Sequence, residues 1–154
     1  MRRPVIGTVA LAFFAVVIPS AVCSAQSASE PAAASDVADG DKLYTYNCSA
    51  CHQPAGQGMP NMAPALKGNP IVSGDSAQLI QILLKGPAAV LPANRPHYGS
   101  NTMDSFYFKL NDDQIAAILT YIRHDLGNGD KSSVINAKDV AAARAKIDPR
   151  TLNQ

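Results

Sequence analysis

Cys48-Ser49-Ala50-Cys51-His52 places two thiols and an imidazole within one short run. Thiols three positions apart lie on the same side of a helical turn, so both can bond to the vinyl groups along one edge of a haem. The histidine that follows is tethered close under the iron, and its imidazole becomes a proximal ligand with little entropy left to lose. C-x-x-C-H is the attachment signature of c-type haem. Two other chemistries use parts of this pattern. A thioredoxin-like redox pair needs a βαβ setting for its C-x-x-C, and no strand pattern is legible in this chain. A zinc site needs a second cluster of ligands, and none accompanies the pentad.

The elements that must position these residues read as helices and loops. Asp36 is a candidate N-cap, and a helix from there to about Asn47 sets Val37, Gly40, Tyr44 and Cys48 on one face. A glycine inside a helix costs stability, so Gly40 predicts close backbone packing against another element. From Pro54 to Gly99 prolines and glycines dominate, which predicts loops. One short helix, Ser76 to Lys85, interrupts them, with Leu79, Ile82 and Leu83 as its apolar face and Gly86 as its stop. A stronger helix follows Asn111 and Gln114, a capping-box pair with Asp112 and Asp113 in the first turn. Ile115, Ile118, Leu119 and Ile122 form its stripe, and Gly127 ends it. A weaker helix spans Ala137 to Ile147, ahead of Pro149.

The 154 residues suit one domain, with 47% hydrophobic and 16% charged residues. There is no Trp, and Tyr and Phe together number only nine, a thin supply for a core of this length. A large flat apolar cofactor would fill that deficit. The formal charge of +1 gives no basic surface for nucleic acid.

The N-terminus reads as a secretion signal over residues 1–25. Arg2 and Arg3 precede an unbroken apolar run from Val9 to Ile18, and Cys23-Ser24-Ala25 offers small residues for cleavage before Gln26. Ten helical residues reach about 15 Å, half of a bilayer core. The longer uncharged stretch Val5 to Val22 leaves an uncleaved anchor as an alternative, and a lipid-modified Cys23 as another, although Val22 is bulky for that role. Cleavage removes two of 13 basic residues and none of 12 acidic ones, taking the net charge from +1 to −1. It also leaves Cys48 and Cys51 as the remaining cysteines. Small polar residues 26–36 read as a disordered linker.

With the pentad, Gly40 and Tyr44 in place, the chain resembles the class I c-type cytochromes from about Asp39 to Leu126. That family carries a glycine and an aromatic eight and four residues before its first haem cysteine, the positions of Gly40 and Tyr44. It carries a Pro-x-Leu motif with its proline twelve residues after the haem histidine, here Pro64-Ala65-Leu66. Its last helix has an aliphatic and an aromatic three residues apart where it crosses the first, matched by Ile118 and Tyr121. The resemblance implies an all-α fold, three to five helices wrapped around one covalently bound haem c, over residues 37–127, with 128–154 as a C-terminal extension holding a short helix. It implies that the Pro64 carbonyl accepts the Nδ1 hydrogen of His52, leaving Nε2 for iron. More narrowly, the chain is similar in texture to the haem domains of cytochrome c subunits serving membrane-bound alcohol and aldehyde dehydrogenases.

Candidates for the sixth iron ligand are Met59, Met62, His97, Met103 and His124. Met59 and Met62 lie seven and ten residues after His52, too close to its side of the ring. His124 reads as a solvated charge at a helix end. Met103 lies 51 residues after His52, shortly before the last helix, where the resemblance places an axial methionine; His97 shares its loop. Haem-binding residues are therefore Cys48, Cys51, His52, Met103 and Pro64, with His52 and Met103 on the iron. A soft thioether favours ferrous iron and raises the potential, and two protein ligands leave no position for substrate. The implied role is an electron carrier in the periplasm, not an enzyme, linking a dehydrogenase to an oxidase or another cytochrome, with membrane proximity possible in an anchored form. Two alternatives stay open: an electron-relay subunit of a dehydrogenase complex, and a gas sensor with a labile sixth ligand. Arg95 and Tyr98 are candidates to bond a haem propionate. Met59, Pro60, Met62 and Ala63 would either form an apolar rim for partners or line the pocket. The extension would either dock a partner or pack on the fold.

Overall fold

The computed structural model describes residues 32–94, 103–128 and 134–152. It contains six α-helices among them: α1 (Ala32–Asn47), α2 (Ser49–His52), α3 (Pro70–Ser73), α4 (Ser76–Lys85), α5 (Asp112–Asp125) and α6 (Ala137–Arg144). Single 3-10 turns sit at Pro87–Ala89 and Pro149–Thr151. Among the described residues there is no strand, and a lone bridge pairs Met59 with Ala63. The expected signal segment, most of the linker, His97, Arg95 and Tyr98 lie outside the described residues. Among the described residues no helix is long and apolar enough to cross a membrane.

Two boundaries differ from the sequence reading. Residues 32–36, expected in the linker, open α1 instead; Ala32, Ala33 and Ala34 are strong helix formers and override the cap signal at Asp36. α6 stops at Arg144, short of Ile147. Asp148 is extended ahead of Pro149, as the residue before a proline must be, so the chain turns before reaching it. The one-turn helices α2 and α3 were below the reach of periodicity; α3 is set by Asn69, whose side chain accepts from Ile71 N, and by Pro70 at its first position.

α4 and α5 form where the pattern put them. Asp75 caps α4 through Ala77 N at 3.0 Å, and Gly86, at φ +81°, stops it. Asn111 and Gln114 exchange both bonds of a capping box, at 2.8 and 3.0 Å. Leu79, Leu83 and Leu84 of α4 meet Ile115, Ile118, Leu119 and Ile122 of α5 in one buried cluster with Tyr44. The extension packs onto this core: Val140 is fully buried, Ile135 and Leu152 nearly so, and Ile135 N donates to the buried Thr120 hydroxyl at 3.0 Å.

The most extensive helix pair is α1 against α5, and Gly40 lies at its crossing. A Cβ there would sit 2.3 Å from the Ala117 carbonyl oxygen and 2.7 Å from Tyr121 Cβ. One turn on, Tyr44 meets Tyr121 with ring centroids 5.5 Å apart. Burial, reinforced by a hydrogen bond to Asp41, pushes the Tyr121 phenol up to about 12. In an ordinary helix interior Gly→Ala gains about 1 kcal/mol. Here the obstacle is backbone of the facing helix and cannot move aside. Gly40→Ala is therefore expected to destabilise the protein by about 2–3 kcal/mol or more, read as a lower midpoint in denaturant unfolding of the haem-loaded protein.

Candidate functional site

Cys48 is the hinge between α1 and α2. Its amide still donates to Tyr44 O at 2.8 Å, and its own carbonyl accepts from His52 N at 2.9 Å. The single turn of α2 therefore continues the direction of α1 closely enough to keep both thiols and the imidazole on one local frame. Cys51 is exposed and Cys48 is half-buried, and no disulfide joins them. Burial, aided by neighbouring Cys51, pushes the Cys48 thiol up to about 12.

His52 is 8% exposed. Its Nδ1 lies 2.9 Å from the carbonyl oxygen of Pro64, the partner the family resemblance implied. A carbonyl only accepts, so Nδ1 carries the hydrogen and Nε2 keeps its lone pair. Burial lowers the imidazole's affinity for a second proton, and the Pro64 bond opposes this only in part. A neutral, oriented imidazole beside two free thiols is the donor set that haem c requires, so these residues fit that group.

The loop between His52 and Leu66 holds Pro64 in place. Gly58 N donates to His52 O at 2.9 Å, Met59 and Ala63 pair through both amides at 2.9 and 3.0 Å, and Leu66 and Lys67 amides converge on Gly56 O. Gln53 and Gly58 both take positive φ, at 65° and 72°. Tyr44 Oη donates to Gln53 O at 2.6 Å, which ties the start of the loop to α1. At Gly58 a Cβ would meet Ala65 N at 2.5 Å and the Pro64 carbonyl carbon at 2.6 Å. Only glycine lets the returning segment pass so closely, a requirement no periodicity or motif in the sequence signalled.

The structure thus brings Cys48, Cys51, His52 and Pro64 together. Met103 arrives on a separate segment, half-buried against the core, with its carbonyl oxygen 3.0 Å from where a Cβ on Gly86 would lie. His124 differs from the solvated charge expected of it: the side chain is half-buried, and Nε2 lies out of solvent contact with no hydrogen-bond partner among the described residues. Of the four rim residues, Pro60 is exposed, Met59 and Met62 are half-buried, and Ala63 is buried.

The family model described as Cytochrome c matches residues 37–125. The chain is 36% identical over 111 residues to the gluconate 2-dehydrogenase cytochrome c subunit of Pantoea cypripedii, covering 71% of this chain and 24% of that protein. It is 30% identical over 111 residues to the cytochrome c subunit of the quinone alcohol dehydrogenase of Gluconobacter oxydans (strain 621H), covering 71% and 23%. It is 34% identical over 116 residues to cytochrome c-552 of Thermus thermophilus, covering 71% of this chain and 86% of that protein. The chain thus spans about a quarter of the length of the two dehydrogenase subunits.

Substituting Gly58 tests the loop. Gly58→Ala adds left-handed backbone strain of about 1–2 kcal/mol to a clash with the Pro64 segment. The haem-loaded variant is expected to unfold at lower denaturant by about 2 kcal/mol or more. Its midpoint potential should also differ from the parent's, because the bond that orients His52 is displaced.

Proposed function

The chain belongs to the cytochrome c family and carries haem c covalently for electron transport, and on that premise we propose that it is an exported one-electron carrier with His52 and Met103 on the iron. The observation that carries the reading is the His52–Pro64 bond at 2.9 Å, which leaves Nε2 free in a buried, neutral ring. When bound, the haem supplies a one-electron couple. The residues around it hold it and tune it. Cys48 and Cys51 anchor one edge. His52 gives the proximal nitrogen, and Pro64 fixes its tautomer and raises its basicity.

Met103 is the proposed sixth ligand. Its support is its position 51 residues after His52, its half-buried placement, and its segment's attachment to α4: Phe106 N donates to Leu83 O at 2.8 Å, and Ser105 Oγ to Leu84 O at 2.6 Å. Held by both His52 and Met103, the iron would keep no position for substrate, and the haem would supply one-electron transfer only. Arg2, Arg3 and the apolar run Val9 to Ile18 support export.

The donor is proposed to be a periplasmic dehydrogenase and the acceptor an oxidase or another cytochrome. A second reading, an electron-relay subunit, is favoured by the likeness to the two dehydrogenase subunits. The likeness to cytochrome c-552, which this chain spans over 86% of its length, favours the free carrier.

The ligand assignment predicts a weak near-infrared thioether-to-ferric-iron band in the oxidised protein. Met103→Ala should abolish that band and lower the midpoint potential by on the order of 0.1–0.3 V, within the roughly 0.8 V that axial ligands span. An unchanged spectrum and potential would remove Met103 from the iron. Gentle fractionation of native cells separates the two roles: a free carrier elutes alone, and a relay subunit elutes in fixed ratio with a dehydrogenase subunit.

A further inference from the structure

Arg144 ends α6, in the C-terminal extension, yet its guanidinium is spent on the segment that follows Met103. Nε donates to Asp112 Oδ1 at 2.6 Å, Nη2 to Leu110 O at 2.9 Å, and Nη1 to Tyr107 O. The guanidinium also lies over the Tyr107 ring, 4.9 Å from its centroid. Three acceptors at residues 107, 110 and 112 are thereby gathered by one planar fork, a geometry that arginine supplies and lysine does not.

The other end of the same segment hangs on α4. Phe106 N donates to Leu83 O and Ser105 Oγ to Leu84 O, while Tyr107 N donates back to Ser105 Oγ at 3.1 Å. Gly86 lets Met103's carbonyl pass against the end of the helix. The stretch from Met103 to Asn111 has no regular element of its own; Leu110 buries into the core, and among the described residues its polar ties to other elements include the end of α4 and the side chain of Arg144. α6 holds that side chain firmly, because Val140 one turn earlier is fully buried.

We infer that Arg144 is a positioning residue for the sixth iron ligand: it braces the Tyr107–Asp112 stretch so that Met103 stays seated. The inference rests on the reading of Met103 as that ligand. A thioether is a soft, weakly held ligand for ferric iron. Loosening the segment that carries it raises the fraction of molecules in which an added ligand can take its place. Removing the guanidinium also leaves Asp112 and two carbonyls without their charge-assisted partner.

The test uses the haem-loaded protein and imidazole as the competing ligand. Arg144→Met keeps much of the apolar stem and removes the fork. It is expected to tighten imidazole binding to the ferric protein by about tenfold, the change that follows loss of one charge-assisted hydrogen bond. It should also weaken the thioether band and speed amide exchange across residues 105–110. Arg144→Lys keeps a cation for Asp112 but cannot reach both carbonyls, so it should fall between; it serves as the readout if the methionine variant does not fold. A lower melting temperature with unchanged imidazole affinity and an unchanged band would overturn the inference and leave Arg144 as a stability residue only. Met103→Ala is measured alongside. If it tightens imidazole binding while the Arg144 variants do not, the brace alone is wrong. If it changes nothing, the reading of Met103 is wrong and the brace falls with it.

Discussion

The carbonyl of Pro64 decides the chemistry of His52. It accepts from Nδ1 at 2.9 Å, so the ring's other nitrogen is the one left with a lone pair. Without that bond a buried histidine has two tautomers and freedom to rotate, and the pentad would supply thiols with no oriented ligand beside them. Much of the surrounding structure keeps that carbonyl where it is. The Met59–Ala63 pair narrows the loop, the Gly56 carbonyl collects the amides of Leu66 and Lys67, and Gly58 lets the returning backbone pass where any side chain would strike it. A hydrogen bond worth about 1 kcal/mol net thus governs a site whose support extends over the fifteen residues from His52 to Leu66.

That loop needs a fixed base, and the α1–α5 crossing provides one. Gly40 brings the two backbones into contact, and Tyr44 fills the next turn, against Tyr121 on one side and bonded to Gln53 O on the other. Cys48 follows one turn later on the same face. The scarcity of large aromatics in the chain therefore does not mean a featureless interior: Tyr44 and Tyr121 stand where the helix pair and the loop meet.

The pentad, the capping box at Asn111 and Gln114, and both bounds of α4 were legible because each is set by neighbours in sequence. The Pro64 partner of His52 was legible only through family resemblance, since no local rule links residues twelve apart across a glycine-rich loop. Gly58 was illegible for the same reason: its requirement is a close approach by residues 63–65, which spacing does not encode. The start of α1 was misjudged because an N-cap signal at Asp36 competed with three preceding alanines and lost. His124 was misjudged because helix position suggests a solvated side chain but does not report its burial, which leaves Nε2 out of solvent contact. Arg144 looked like an ordinary basic residue near a helix end. Its partners lie 32 to 37 residues back, beyond any local pattern.

Those separations divide the two halves of the candidate site by the entropy of closing them. His52 meets Pro64 across 12 residues, whereas Arg144 meets the Tyr107 carbonyl across 37. Loop closure scales with the logarithm of length, so the longer connection costs about 1 kcal/mol more. It also joins elements that must already be docked, since Arg144 reaches its acceptors only with α6 seated on α4 and α5. The histidine half therefore closes over the shorter loop, on the base that the α1–α5 crossing supplies. The methionine half depends on completed tertiary structure, so partial unfolding from the C-terminal side releases it first while the histidine frame persists.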